Sequence, residues 1–171
     1  MTDPVLPDVL PAGLRLVFCG SAPGAVSAAR GAYYAHPGNR FWPILAEAGF
    51  TPSRWTPRDF PRLPMLGIGL TDLAKHASGN DADLPVDAYD VPGLCQRIRA
   101  AAPAMLAFTA KAPASAVLGR KTAAIGYGRA EGPPDMPPIW VLPSTSGSGV
   151  RHWDPRPWLA LGAWFRSGGP A

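Results

Sequence analysis

The stretch LRLVFCGSAPG, residues 14–24, decides the fold. Its first six residues, Leu14–Cys19, are apolar except for one arginine, and Gly20 ends the run. A short apolar run that stops at glycine is typical of a parallel strand that is buried on both faces and leads directly into a loop. We therefore predict a core strand over Leu14–Cys19, followed by a long, open first loop.

Strands and helices alternate through the rest of the chain. Apolar runs predict further core strands within Met65–Leu73, Met105–Thr109 and Ile139–Leu142. Capping residues, first-turn prolines and terminal glycines predict helices over Asn39–Ala48, Val91–Ala101, Lys111–Leu118 and Arg156–Arg166. This alternation implies an α/β fold with a mostly parallel sheet that helices cover on both faces.

Ligands of such sheets bind beyond the carboxyl ends of the strands. Unusual loops follow the strands that end near Cys19, Leu70 and Leu142, so we expect these loops to meet at one place. The first loop has neither G-x-G-x-x-G nor Gly-Lys-Ser/Thr, which argues against a phosphate-binding loop. It carries Tyr33 and Tyr34 instead, and aromatic faces stack on nucleic-acid bases.

Composition favours one compact domain over residues 1–171, with residues 1–12 and 167–171 as flexible termini. The longest apolar runs are far shorter than the roughly 20 residues of a membrane span, and the N-terminus lacks the features of a signal peptide. We therefore expect a cytoplasmic protein without membrane contact. Cys19 and Cys95 are expected to be core thiols, and the net charge of +4 makes a polyanionic partner plausible.

Several blocks of the chain resemble the mismatch-specific uracil-DNA glycosylase family, which includes the thymine-DNA glycosylases. They are VFCG, AHPGNRFW, AGFT, GIGLTDLAK and VLPSTSG, in that order, and the resemblance runs from about Leu14 to Trp164. It implies a three-layer α/β/α fold and base excision repair, in which uracil or another damaged or mismatched pyrimidine is flipped out of DNA and its N-glycosidic bond is hydrolysed. It also implies no metal or organic cofactor. The DNA would be a duplex with uracil or a mismatch, or a single strand, bound by a monomer.

The resemblance also assigns base-binding residues. Tyr34 stands where the family places the aromatic residue that stacks on the extruded base. Backbone amides of Gly20 and Ser21 are expected near the carbonyl oxygens of the base, and Asn39 is expected to hold the loop. The segment 144–151 matches the loop that enters the duplex, with Ser144, Ser146, Gly147, Ser148, Gly149 and Arg151 as its DNA-binding residues.

The chain departs from the family at Ala22, where the first loop usually has an asparagine that positions the attacking water, and at Ser144, where asparagine is also frequent. Alanine can neither accept a proton nor orient water. Asp72, at the end of the segment GIGLTDLAK, is the catalytic residue that we expect in its place. A carboxylate there would orient water and oppose the positive charge that develops on the sugar. A purely structural alternative is that Asp72 caps a turn.

Other polar residues keep two interpretations each. His36 is a candidate for direct function, and Thr109 for the DNA-binding face. Thr71 is a candidate for support of the water or the flanking loop, or for a backbone hydrogen bond. Lys75 and His76 are candidates for phosphate contact or for a solvated surface pair. Lys111 is a further candidate for the DNA-binding face, and Arg120, Lys121 and Arg129 are candidates for phosphate contact. Asp90 is expected to cap a helix, and Asp81 and Asp83 to be solvated.

Two other functions stay open on the sequence. Ala22 is compatible with a DNA-damage binding protein that has lost catalysis. A small-molecule hydrolase or nucleotide-binding enzyme on a similar sheet is the other alternative, although the chain lacks a phosphate loop and a Ser-His-Asp arrangement in a suitable context.

Overall fold

A computed structural model describes residues 2–168, and its centre is a five-stranded sheet. The strands are β1 (Leu16–Gly20), β2 (Ile68–Asp72), β3 (Met105–Phe108), β4 (Gly128–Ala130) and β5 (Ile139–Val141). Their order is β2-β1-β3-β5-β4, and all neighbours are parallel except β4 and β5. The predicted α/β class with a mostly parallel sheet is confirmed.

Five α-helices accompany the sheet in the described residues: α1 (Ala25–Arg30), α2 (Phe41–Glu47), α3 (Val91–Ala101), α4 (Lys111–Leu118) and α5 (Arg156–Arg166). The predicted bounds of α3, α4 and α5 are confirmed, and Asp90 caps α3 by accepting a hydrogen bond from the Gly93 amide at 3.0 Å. Short 3-10 helices cover Pro57–Leu66, Asp81–Asp83, Thr122–Ala124 and Gly147–His152. Within residues 2–168, every helix is too short or too polar to span a bilayer.

The sheet is buried on both faces, which explains the apolar run in β1. Leu16 and Phe18 pack into one core with aromatic residues of α2 and α5, where the Phe18 and Trp158 rings stack at 5.5 Å. Val17 and Cys19 face the other core, against α3 and α4. Alternate residues of one strand thus contact opposite helical layers, and the result is the expected three-layer α/β/α arrangement.

The N-terminal segment departs from our expectation of a flexible residue 1–12 terminus. Leu6 is fully buried in the core, and the Val5 amide donates to the Lys75 carbonyl at 2.7 Å. Val9 and Leu70 form an antiparallel bridge, so the segment covers the outer edge of β2. The expectation is wrong for these residues because the edge strand offers unpaired backbone groups that the segment satisfies. Met1 and residues 169–171 lie outside the described residues.

The carboxyl ends of β1, β2, β3 and β5 lie at one edge of the sheet, and their following loops meet there as predicted. Hydrogen bonds join the first two loops directly: the Leu73 amide donates to the Gly20 carbonyl at 2.9 Å and the Ala74 amide to the Ser21 carbonyl at 2.7 Å. The Arg40 amide donates to the Thr145 carbonyl at 2.9 Å, which joins the start of α2 to the loop after β5. This edge therefore carries a connected set of loops.

Candidate functional site

A cavity of about 570 Å³ opens at this edge of the sheet. Its walls come from the loops after β1, β2, β3 and β5 together with the segment before α2. The residues that line it include Gly20, Ser21, Ala22, Tyr34, His36, Asn39, Asp72, Asn80, Asp81, Thr109, Ser144, Ser146 and Ser148. The volume lies within the usual range for small-molecule sites, so the cavity is large enough for a single base.

Asp72 lies at the inner end of the cavity, where β2 stops. Its register partner is Gly20, and a Cβ added to that glycine would stand 2.8 Å from Asp72 Oδ1. Only glycine at position 20 therefore lets the carboxylate approach the β1 backbone so closely. Asp72 is 3% exposed, and its Oδ2 has no hydrogen-bond partner within the described part of the chain. Such a buried acceptor is available to a ligand or a water molecule in the cavity.

Burial raises the pKa of Asp72 to about 7, because the ionised carboxylate loses its hydration. The nearby Lys75 and Arg97 cations lower this pKa, and the Asp8 carboxylate raises it further. A carboxyl group with a pKa near 7 exchanges a proton at neutral pH, as a general acid or base requires.

Tyr34 forms another wall of the cavity. One face of its ring stacks on Phe41 with centroids 3.8 Å apart, and its hydroxyl lies 3.0 Å from Thr109 Oγ1. Its φ of 52° places it in the left-handed region, which is uncommon for a residue other than glycine. Strained backbone of this kind persists where surrounding contacts hold it, and here the stacking and the hydroxyl pair hold the ring in place.

Asn39 and His36 shape the turn that leads from Tyr34 into α2. Asn39 Oδ1 accepts a hydrogen bond from the Phe41 amide at 2.9 Å, and the Asn39 amide donates to the His36 carbonyl at 2.9 Å. His36 Nδ1 accepts from the Gly38 amide at 2.9 Å. Because the Asn39 side chain occupies the first free amide, α2 begins two residues later than predicted.

The loop after β5 carries a row of serines. Ser144 Oγ accepts a hydrogen bond from the Ser146 amide at 3.2 Å, and the Ser146 and Ser148 hydroxyls lie 2.9 Å apart. All three serines line the cavity. Gly147–His152 forms a 3-10 helix whose Arg151 is exposed to solvent and does not line the cavity. The segment is thus a preformed, polar projection at the rim.

The chain matches the model of a known protein family. The model of the uracil DNA glycosylase superfamily matches residues 7–166. The chain belongs to the uracil DNA glycosylase superfamily. Enzymes of this superfamily hydrolyse N-glycosyl bonds, and they act on DNA.

A solved structure shares the fold of this superfamily member. It is the solution NMR structure of a "putative Uracil DNA glycosylase" from Methanosarcina acetivorans, with a TM-score of 0.60 and 22% sequence identity. The match covers 94% of this chain and 96% of that chain. At this level of identity the likeness concerns the three-layer fold alone.

The cavity is lined by most of the residues that the sequence predicted for it. Gly20, Ser21, Ala22, Tyr34, Asn39 and Asp72 line it, as do three serines of the loop after β5. Gly147, Gly149 and Arg151 belong to the same loop but do not line the cavity. Asp72 Oδ2 has no hydrogen-bond partner in the described structure, so this oxygen does not cap a turn.

Two side chains near Asp72 differ from the predictions. Lys75 is not a solvated cation: it is 8% exposed and its Nζ lies 2.7 Å from Asp8 Oδ1. The Thr71 hydroxyl contacts neither the cavity nor the backbone, because it donates to Asp8 Oδ1 at 2.6 Å. The solvated interpretation of Lys75 and the backbone hydrogen bond of Thr71 are wrong for the same reason, since both groups pair with Asp8, which belongs to the N-terminal segment that was expected to be flexible.

Several lining residues were not predicted, among them two polar ones after β2. Asn80 and Asp81, on the loop that follows β2, stand at the cavity wall although Asp81 is exposed. Their position after a strand of the sheet is the one feature of the sequence that points to them. Thr109, an open candidate on the sequence, is buried beside the Tyr34 hydroxyl.

Proposed function

We propose that this member of the superfamily is a monofunctional glycosylase of the mismatch-specific type, which removes uracil, and other damaged or mismatched pyrimidines, from DNA. The observation that carries the proposal is the position of Asp72, a buried carboxylate with an unpartnered oxygen at the inner end of a base-sized cavity. It lies against Gly20, in the same loop whose position 22 holds alanine. A carboxylate therefore stands beside the place where the family usually has its water-positioning asparagine.

The chemistry assigned to Asp72 is that of a general base and a fixed negative charge. The N-glycosidic bond breaks with its electron pair moving to the base, and positive charge develops on the sugar. Asp72 accepts a proton from the water that attacks the sugar, and its charge opposes the charge on the sugar. At about 4 Å and an effective dielectric constant near 20, one such charge contributes roughly 4 kcal/mol, on the order of a thousandfold in rate.

Base recognition is assigned to Tyr34 and the first loop. The extruded base would stack on Tyr34, whose ring is already held by Phe41 and Thr109. Stacking of a base on an aromatic side chain is worth about 1–3 kcal/mol and tolerates different bases. Backbone amides of Gly20 and Ser21 would contact the carbonyl oxygens of the base. A rigid ring lowers the entropy cost of binding because the protein is already ordered.

The DNA itself would be held at the rim. The serine row and Arg151 belong to the segment 144–151, which we assign to the position that the base vacates and to the flanking phosphates. No lysine lines the cavity among the described residues, so the proposed reaction has no amine nucleophile and leaves the strand intact at the abasic site.

The second candidate function is a DNA-damage binding protein without catalysis, and Ala22 is the observation that favours it. The two candidates differ in one product, the free base. Both predict binding to DNA that contains uracil, but only the glycosylase releases uracil in a single turnover.

The test uses oligonucleotides with uracil opposite guanine, opposite adenine and in a single strand. Wild type, Asp72→Asn and Tyr34→Ala are compared with Asp87→Asn, which removes an exposed carboxylate from the loop after β2. We expect wild type and Asp87→Asn to release uracil and Asp72→Asn to lose about a thousandfold in rate. Binding without release by wild type would favour the second candidate. Full activity of Asp72→Asn would overturn the assignment of Asp72.

A further inference from the structure

A cluster of charged side chains lies near Asp72, and none of its members lines the cavity. Asp8, from the N-terminal segment, places Oδ1 at 2.7 Å from Lys75 Nζ and Oδ2 at 3.0 Å from Arg97 Nε. Asp8 Oδ1 also accepts the Thr71 hydroxyl at 2.6 Å. One carboxylate thus holds groups from β2, from the loop after β2 and from α3.

The cluster is joined to Asp72 through the backbone and through charge. Arg97 donates from its second guanidinium nitrogen to the Asp72 carbonyl at 3.0 Å. Lys75 lies three residues after Asp72 in the loop, and its ammonium group is 3.5 Å from the Tyr33 hydroxyl. If Asp8, Asp72, Lys75 and Arg97 are all ionised, their formal charges cancel.

Stability is a weak reason for such a cluster, because Lys75 is buried while Asp8 and Arg97 are only partly exposed. Taking an ammonium group and a carboxylate out of water costs free energy that their attraction often fails to return, and apolar residues of similar size are frequently as stable. Neither Asp8, Lys75 nor Arg97 lines the cavity, so these groups do not touch a bound base directly. Their common neighbour with a chemical role in the proposed reaction is Asp72.

We propose that Asp8 is a positioning residue, which holds the Lys75 and Arg97 cations near Asp72 and thereby sets the fraction of Asp72 that is ionised at neutral pH. The N-terminal segment is then a part of the glycosylase site and not a loose extension. The inference rests on the function proposed for Asp72, and its test includes a measurement that does not need activity.

The direction of each effect follows from the charges that face Asp72. Removing the Lys75 cation disfavours the carboxylate, so the midpoint of Asp72 ionisation moves to higher pH. Removing the Asp8 anion leaves both cations without their counter-charge and moves the midpoint to lower pH. The remaining titratable neighbours are Cys19, Tyr33 and Tyr34, and burial raises the pKa of each. They stay neutral near pH 7 and therefore do not affect the comparison of the Asp72 midpoint between the variants.

The experiment measures single-turnover release of uracil between about pH 5.5 and 9 for wild type, Asp8→Asn and Lys75→Met. Asp3→Asn is the matched control, because Asp3 is an exposed carboxylate of the same segment. We expect the midpoint of the pH profile to fall by about one pH unit in Asp8→Asn and to rise by about as much in Lys75→Met, the size of shift that one nearby charge produces. Asp3→Asn keeps the wild-type midpoint.

A purely structural role would lower the rate at every pH and leave the midpoint unchanged, and that result would overturn the proposal. The second measurement is the pH titration of the Asp72 carboxyl carbon by NMR, with Asp72→Asn used to identify the resonance. Opposite shifts of this midpoint in the two variants support the proposal even if no variant releases uracil. In that case the proposed glycosylase reaction is wrong, but the effect of Asp8 on Asp72 is not. Midpoints that coincide with wild type in both variants contradict it.

Discussion

The free energy of unfolding of Asp72→Asn, relative to that of wild type, should rise as the pH rises. Burial raises the pKa of Asp72 in the folded chain to about 7, whereas the pKa of an aspartate in an unfolded chain is about 3.9. The folded state therefore favours the neutral acid. Its contribution to stability is complete below the unfolded value and is lost as the pH rises through about 7.

The magnitude follows from this difference in pKa. About three pH units at 1.36 kcal/mol each give roughly 4 kcal/mol for the whole loss, and about two of these units fall between pH 5 and 7. Asparagine does not ionise and has no such loss. The free energy of unfolding of Asp72→Asn minus that of wild type should therefore rise by about 2–3 kcal/mol between pH 5 and pH 8.5.

Urea unfolding at these two pH values, followed by the fluorescence of the six tryptophans, measures this difference. Contributions of other titrating groups cancel because the same groups are present in both proteins. Asp87→Asn is the control, and its difference from wild type should not depend on pH beyond the small effect of an exposed charge. The reasoning would be refuted by a difference that is the same at pH 5 and 8.5, since Asp72 would then ionise without cost.

Three further predictions concern the reaction. The single-turnover rate of wild type should increase with pH through about 7, because Asp72 must be ionised to accept a proton, and a flat pH profile would argue against this role. Tyr34→Ala should weaken binding of uracil-containing DNA by about 10- to 100-fold while Tyr34→Phe, which keeps the ring, should lose less; this is measured by fluorescence anisotropy, and equal losses would contradict stacking. Arg151→Ala should lower the slope of log K against log salt by about 0.9, and an unchanged slope would show that Arg151 contacts no phosphate.

The helices that begin and end with strong local features were predictable from the sequence. Asp90 and Pro92 mark the start of α3, and Gly119 ends α4, so the bounds of these helices depend on nearby residues alone. The short elements α1 and β4 were missed. Ala25–Arg30 has only six residues and lacks an apolar face of helical period, and Gly128–Ala130 has too few residues to show a strand pattern.

The position of Asp72 was predictable for a different reason. It ends an apolar run, and parallel strands bring their carboxyl ends to one edge of the sheet. The burial of Lys75 was not predictable, because its partner Asp8 comes from a proline-rich, acidic segment that looks like a flexible terminus. The backbone contacts of the N-terminal segment, Val9 with Leu70 and Val5 with Lys75, bring the two together.

The central claim is that Asp72 takes the role that Ala22 leaves open. The most direct measurement is the single-turnover release of uracil from a duplex with uracil opposite guanine, by wild type, Asp72→Asn and the double variant that carries both Asp72→Asn and Ala22→Asn. We predict release by wild type, a loss of about a thousandfold in Asp72→Asn, and partial recovery when Ala22→Asn is added to that variant. Asp72→Asn with the wild-type rate would contradict the claim.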